Sequence, residues 1–320
     1  MVHLSKKSLA IINEKEKAMI HSIALVLLLG FELSYYLLIV QTGITQHFHS
    51  DLVTLFPLFI GGVAGTILAG QTWGKVVNPV HKILFALSLQ LVFSFVYPNF
   101  NAFTLGVLGL SVGMMAPLSV YIFKEKQRVE LFVALAIAYT VGTYLFTSFA
   151  ESRGTMAIGF TLVALVSASL LKEYKVEEDK EVQTRSFMMY LPLMLWIFID
   201  SNLFETLSRH EGLDIWSHQT YTIIVFHLIG LAAAYFIRIK EFNQHLIIGA
   251  LFVASYALSY LELPIALAMV YPFVISYYNV IVFSALTKEM SLTKLSCMMV
   301  FIAWIASGIG LALALSGILF

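Results

Sequence analysis

Apolar residues fall along this chain in long blocks separated by short polar or charged connections. Eleven blocks can be drawn, at about 18 to 42, 52 to 73, 80 to 98, 102 to 123, 129 to 150, 155 to 171, 187 to 207, 217 to 237, 244 to 261, 264 to 286 and 294 to 319. Each can cross about 30 Å of hydrocarbon as a helix. The blocks lack the alternation of a barrel strand, and in lipid every backbone polar group needs a partner within the segment, so each is predicted to be a helix.

The basic residues give these helices a direction. With a cytoplasmic N-terminus, 17 of the 19 Lys and Arg residues fall on the cytoplasmic side, leaving Arg153 and Arg209 outside. That bias follows the positive-inside rule, and a miscount of one span would invert every later loop. Eleven spans put the C-terminal "ALSGILF" on the outer face. Composition agrees: 59% of the 320 residues are hydrophobic and 12% charged, with a mean hydropathy of +0.87, outside the balance of soluble domains. The expectation is an integral protein of a bacterial cytoplasmic membrane. The first block is too long for a signal-peptide core and no small-residue cleavage site follows it, so it reads as a retained span. The single cysteine, Cys297, cannot form an internal disulfide and has no metal-ligand spacing around it.

The connections suggest two halves. A cytoplasmic N-terminal segment (1–17) leads into six spans (18–171). The charged stretch "KEYKVEEDKEVQTR" then forms most of a solvated linker (172–186), and five spans follow (187–320). An offset of about 164 to 168 lays spans one to five on spans seven to eleven, as parallel repeats would. Lys124-Glu125 then matches Lys288-Glu289, and Ile137-Ala138-Tyr139 matches Ile302-Ala303-Trp304.

With this organisation the chain resembles the major facilitator superfamily, transporters of two six-helix bundles joined by a central cytoplasmic loop. The best local motif is "GTILAGQTWGKVV", residues 65 to 77, in the turn where that family carries Gly-x-Leu-Ala-Asp-Arg-x-Gly-Arg. Leu68 and Ala69 fit, and Gly74-Lys75 stands for the later Gly-Arg with one extra residue between. Gly70 and Gln71 replace the usual Asp and Arg, which puts the charged latch of that motif in doubt. Leu68, Gly70, Gly74 and Lys75 are the candidates for a cytoplasmic gating turn. "GVLGLSVGMMAPLSVYIF", residues 106 to 123, looks like the fourth helix of the family, with Gly106, Gly109 and Gly113 allowing close approach and Pro117 bending it. The family's twelfth helix has no counterpart, so the resemblance implies either an eleven-helix variant or a membrane partner that fills the gap.

Within the spans, a carboxylate is the costliest residue to place, at about 2.5–3.5 kcal/mol on insertion scales. Glu32 stands in "LLGFELSYYLLIV" of span one, and an offset of 168 sets it opposite Asp200 in span seven. In the family the first and seventh helices line the central cavity with the fourth and tenth, so the resemblance puts both acids on the substrate path, as proton- or cation-coupling residues. The other reading of each is a structural hydrogen bond. Tyr35 and Tyr36 lie three and four residues beyond Glu32 and can share its face. Asn202, Glu205, His227, Tyr277, Tyr278 and Asn279 complete the candidate cavity wall, while Glu205 near the outer end could simply be solvated. Gln90 and His21 are weaker candidates.

Soft ligands raise a copper alternative. Met114-Met115, Met188-Met189 with Met194, Cys297-Met298-Met299, and His47 with His49 all suit that metal by type. Adjacent methionines point about 100° apart and no two groups have ligand spacing, so no metal site is assigned. No cofactor is expected. There is no phosphate loop, zincin motif or nucleophile with a base, so an enzyme is not expected. A net charge of zero without a basic aromatic face argues against nucleic acid.

The expected function is secondary transport by alternating access, proton-coupled, of a small cationic or neutral polar solute. The alternative from another class is a non-transporting membrane subunit or assembly factor derived from the same architecture.

Overall fold

Short polar side chains set the helix starts in this protein. In the computed structural model, described here for residues 6–48, 51–73, 78–123, 128–148, 152–174, 187–209, 213–288 and 291–316, Asp51 accepts from the amides of Val53 and Thr54. Asn78 does the same for Val80 with Pro79 at the first helical position. Asn101 and Thr104 form a reciprocal capping box, and Ser291 accepts from the Lys294 amide. These acceptors take up amides that the first helical turn leaves unpaired.

The described chain is helical. Helix α1 runs Lys6–Tyr35 and continues as a π-helix over Tyr36–Ile44. Then come α2 (Leu52–Gly70), α3 (Pro79–Ser94), α4 (Ala102–Ile122), α5 (Arg128–Ser148) and α6 (Arg153–Leu170). After the linker, a 3-10 turn (Phe187–Tyr190) enters α7 (Leu191–Arg209), and a short helix (Ile215–His218) precedes α8 (Thr220–Phe236). Helices α9 (Glu241–Tyr260) and α10 (Pro264–Leu286) follow. The last, α11, begins at Leu292–Met299, winds as a π-helix over Val300–Ala306 and ends as Ser307–Ser316. Among the described residues nine helices are long and apolar enough to cross a membrane, with α3 and α8 as shorter apolar helices. The chain is thus an all-α integral membrane protein.

Of the boundaries that differ from expectation by more than three residues, two have a local cause. The first helix starts at Lys6, well before the apolar block at 18, because Lys, Glu and Ala are strong helix formers whether or not they sit in lipid. Helix α3 ends at Ser94, short of the expected 98, where the chain turns through Phe95–Tyr97 ahead of Pro98.

In the first half α1 packs on α5 and α6, α2 on α4, and α3 on α4 and α6. In the second, α7 packs on α11 and α9, and α10 on α8 and α9. The halves meet where α2 touches α11 and where α5 touches α8. The seam between α2 and α4 is backbone against backbone. A Cβ built on Gly65 would lie 2.0 Å from the Leu110 carbonyl oxygen, and one on Gly113 2.0 Å from that of Gly62. Only glycine allows this approach. Of the three glycines expected to do so, Gly109 and Gly113 do, whereas Gly106 has ordinary clearance of its own, and Gly61 of α2 presses onto its carbonyl instead. At the end where α1 begins, called lower here, Lys17 pairs with Glu173. The Lys17 hydrogen bond holds the Glu173 carboxyl below the usual carboxylate range.

Candidate functional site

The side chains of α1, α4, α5, α7, α10 and α11 leave between them a central cavity of about 290 Å³. Both candidate acids face it, Glu32 from α1 and Asp200 from α7, and no Lys or Arg among the described residues lines it. Their surroundings differ.

Glu32 is 5% exposed. Its Oε2 accepts from Gln90 Nε2 of α3 at 3.0 Å, and the same nitrogen lies 3.2 Å from the Thr161 hydroxyl of α6. Gln90 Oε1 is buried, with no hydrogen-bond partner among the described residues. Glu32 therefore faces the cavity on one side and is tied on the other to a polar cluster inside the first half. Gln90, a weak candidate by sequence, is its direct partner. A lone amide in an apolar run carries no spacing that would single it out, since its partner sits on another helix.

Asp200 is held by phenols. Oδ1 accepts from Tyr271 at 2.8 Å and Oδ2 from Tyr278 at 2.5 Å, both on α10. Tyr36 and Tyr139 share the cavity wall with it. Tyr271 was not among the sequence candidates, although it lies seven residues before Tyr278. Two turns put both on one helix face, and that signal was available. Asn279 donates to Tyr139 at 2.7 Å, tying α10 to α5. His227 stacks on the Tyr139 ring with centroids 4.3 Å apart, and its Nδ1 is 2.5 Å from the Ser276 hydroxyl.

Of the sequence candidates, Glu32, Asp200, Tyr36, His227, Tyr278 and Asn279 line the central cavity, whereas Tyr35, Asn202, Tyr277, Glu205, Gln90 and His21 do not. Tyr35 is fully buried and reaches Ser94 at 3.1 Å. It faces α3, the helix whose Gln90 also binds Glu32, while Tyr36, about 100° further round, faces the cavity. Asn202 points away from Asp200 and bonds the Gly310 carbonyl at 3.3 Å and the Tyr256 hydroxyl at 2.8 Å, joining α7 to α11 and α9. Tyr277 is buried with its ring stacked on Phe273, four residues earlier. Glu205 accepts from Arg209 at 2.8 Å, an i to i+4 pair on α7. It lines a second cavity of about 300 Å³ with Gln41, Thr42, Thr45, Gln46, Phe204, Ser208 and Arg209. Gln41, Thr42 and Phe204 border both cavities, which therefore adjoin toward the upper end.

The gating turn is partly described, because Gly74 and Lys75 lie outside the described residues. At the end of α2, three successive carbonyls each receive a donor. Lys82 Nζ of α3 donates to Ala69 at 2.8 Å and to Gln71 at 2.6 Å. Between them Gly70 accepts from the Thr293 hydroxyl of α11 at 2.7 Å. A Cβ on Gly70 would lie 2.8 Å from the Ser296 Cβ. Leu68 contributes its carbonyl, which takes the Trp73 indole N–H at 3.1 Å. Cations at a helix C-terminus suit its dipole, so this turn is tied to both halves without the Asp and Arg of the family motif.

Among the described residues no group of three or more His, Cys, Asp or Glu could hold a metal ion. Met115 and Met299 share the cavity wall, whereas Met188 and Met189 are exposed, as is Cys297. His49, Lys124, Glu125 and Glu289 lie outside the described residues. Comparison with family profiles and with curated proteins gave no match.

Proposed function

We propose that the protein is a secondary transporter of the major facilitator type, moving a small solute across the membrane by alternating access between an N-terminal six-helix bundle and a C-terminal five-helix bundle. The observation that carries this reading is the cavity between the halves, walled by both and faced by Glu32 and Asp200. With no Lys or Arg among the described residues of that wall, a proton or a cationic solute is the natural partner for the charge on either acid. Proton coupling follows if the two compete.

The helix contacts support a repeat. Adding six to the helix numbers carries α1–α5, α2–α4 and α3–α4 onto α7–α11, α8–α10 and α9–α10. The contacts between halves obey the same relation: Tyr139 of α5 stacks on His227 of α8, and Trp304 of α11 would strike a Cβ on Gly62 of α2. Here 304 − 139 and 227 − 62 are both 165. The basic-residue bias favours a cytoplasmic N-terminus, which makes the lower end cytoplasmic and the second cavity an outer vestibule.

The test is solute flux into sealed proteoliposomes under an imposed pH gradient, for the wild type, Glu32→Gln and Asp200→Asn. Loss of gradient-driven flux in both variants supports the reading. Unchanged flux in both overturns the coupling role, and no flux of any solute by the wild type favours the non-transporting subunit.

A further inference from the structure

The wall of the central cavity constrains the solute more closely. Its polar side chains are largely engaged with protein groups. Ser201 bonds Ser307 at 2.9 Å, Asn279 bonds Tyr139, His227 bonds Ser276, and Thr42 donates to carbonyls of its own helix. A sugar or polyol needs many free, convergent partners once it leaves water, because each unmet hydroxyl carries a desolvation cost. Those left to a solute are spread over different elements, Tyr36 and Gln41 on the π-helical continuation of α1, Ser119 on α4, Thr143 on α5 and Trp216 on the short helix, with Ser119 Oγ and Trp216 Nε1 buried and without a partner among the described residues. The wall offers instead the carboxyl oxygens of Glu32 and Asp200, with no Lys or Arg among the described residues of the lining, surrounded by ring and aliphatic surface.

The aromatic groups are distributed unevenly. Asp200 stands among phenols, with Tyr271 and Tyr278 as its donors and Tyr36 and Tyr139 on the same wall. Toward the upper end, Phe146, Phe204 and Trp216 form an aromatic cluster, with the Phe204 and Trp216 rings 5.5 Å apart and Phe146 and Trp216 6.4 Å apart. All three line the cavity. Phenol rings beside a carboxylate suit an ammonium group, by charge and by attraction of the cation to the ring faces. The neighbouring Phe and Trp surface suits an apolar body. A volume of about 290 Å³ lies just below the about 300–1,000 Å³ typical of small-molecule sites, which favours a small solute.

We infer that the cavity binds a small amphiphilic organic ammonium ion, one protonated amine on an aromatic or aliphatic body, with the ammonium at Asp200 and the body against Phe146, Phe204 and Trp216. This rests on the transport reading above, and it replaces the wider class of cationic or neutral polar solutes with one. Glu32, tied to Gln90 on the side away from the cavity, is left as the group that exchanges a proton.

The test is equilibrium binding to the full-length protein in phospholipid nanodiscs, by calorimetry, with 2-phenylethylamine as probe. The comparators are 2-phenylethanol, which keeps the body and lacks the charge, ethylamine, which keeps the charge and lacks the ring, and sorbitol. The expected result is saturable binding of 2-phenylethylamine at least about tenfold tighter than any comparator, with the preference for amine over alcohol lost in Asp200→Asn. No saturable binding of the amine, equal binding of the alcohol, or an amine preference retained in Asp200→Asn overturns the inference. Flux in proteoliposomes separates this from the transport reading. Amine binding with no flux of any solute upholds the site and defeats transport, while sorbitol flux without amine binding does the reverse.

Discussion

Tyr278 of α10 donates its hydroxyl to Oδ2 of Asp200 on α7 across 2.5 Å, and Tyr271, two turns earlier on α10, occupies Oδ1. Two neutral donors thus fix a carboxylate in the cavity wall without neutralising it. Replacing Tyr278 by Phe removes one donor and leaves Tyr271. A hydrogen bond to a charged group contributes about 1.5–3 kcal/mol, so Tyr278→Phe is expected to lower unfolding stability by that order. Amine affinity is expected to fall less than in Asp200→Asn. Chemical unfolding in mixed micelles with parallel calorimetry checks both.

Glu32→Gln keeps the size of the side chain and removes its charge. If Glu32 carries the coupled proton, exchange of labelled solute for unlabelled solute persists in this variant, while accumulation driven by a pH gradient is lost. A variant that loses both would show that Glu32 holds the solute instead.

Gly113→Ala places a methyl group on the Gly62 carbonyl, where backbone cannot give way. The expected loss is about 1–3 kcal/mol or more, as for overpacking of a closed core. Gly159→Ala is the control: it is a helical glycine on the exposed side of α6 with nothing within 4 Å of its Cβ, and its effect should stay within about 1 kcal/mol. Unfolding curves of the two variants measured together test the contrast.

Thr293→Val removes the only side-chain donor to the Gly70 carbonyl found among the described residues. In a Cys297→Ser background with Ser119→Cys as reporter in the cavity wall, the variant is expected to react faster with an impermeant thiol reagent added from the lower side. Unchanged labelling would show that this bond does not hold the lower end shut.

Asp51 supplies a pH dependence outside the membrane. Hydrogen bonds from the Thr54 side chain and from the Thr54 and Val53 amides hold its carboxyl below the usual carboxylate range. The sign follows: the ionised cap stabilises the start of α2 at and above the usual range, and its contribution fades as pH falls through the lowered value. The difference in Tm between the wild type and Asp51→Ala should therefore narrow in acid.

The helices were legible because transfer into lipid is summed over some twenty residues, so one misjudged position changes little. The two acids were legible for the opposite reason, since each is a single large penalty in an apolar run. Their partners were harder. Tyr271 and Tyr278, and likewise Glu205 and Arg209, share a helical spacing that the sequence carries. Gln90 meets Glu32 from α3, and Thr293 meets Gly70 across 223 residues of chain. Such pairs depend on how helices cross, which apolar periodicity does not encode. Tyr35 and Asn202 were misplaced because depth in the membrane follows from sequence position, whereas the direction of a side chain within an all-round apolar helix does not.

The glycine seam has a mechanical meaning. Where α2 and α4 touch through carbonyls and bare Cα atoms, with the Thr66 hydroxyl on the Gly113 carbonyl, little side-chain layer is left to shear. The two helices must tilt as a single beam. One side of that beam carries Gly62 and Gly70 against α11, and the other carries Met115 and Ser119 to the cavity wall. A displacement of α11 at the lower end is therefore expected to move this wall of the central cavity with it.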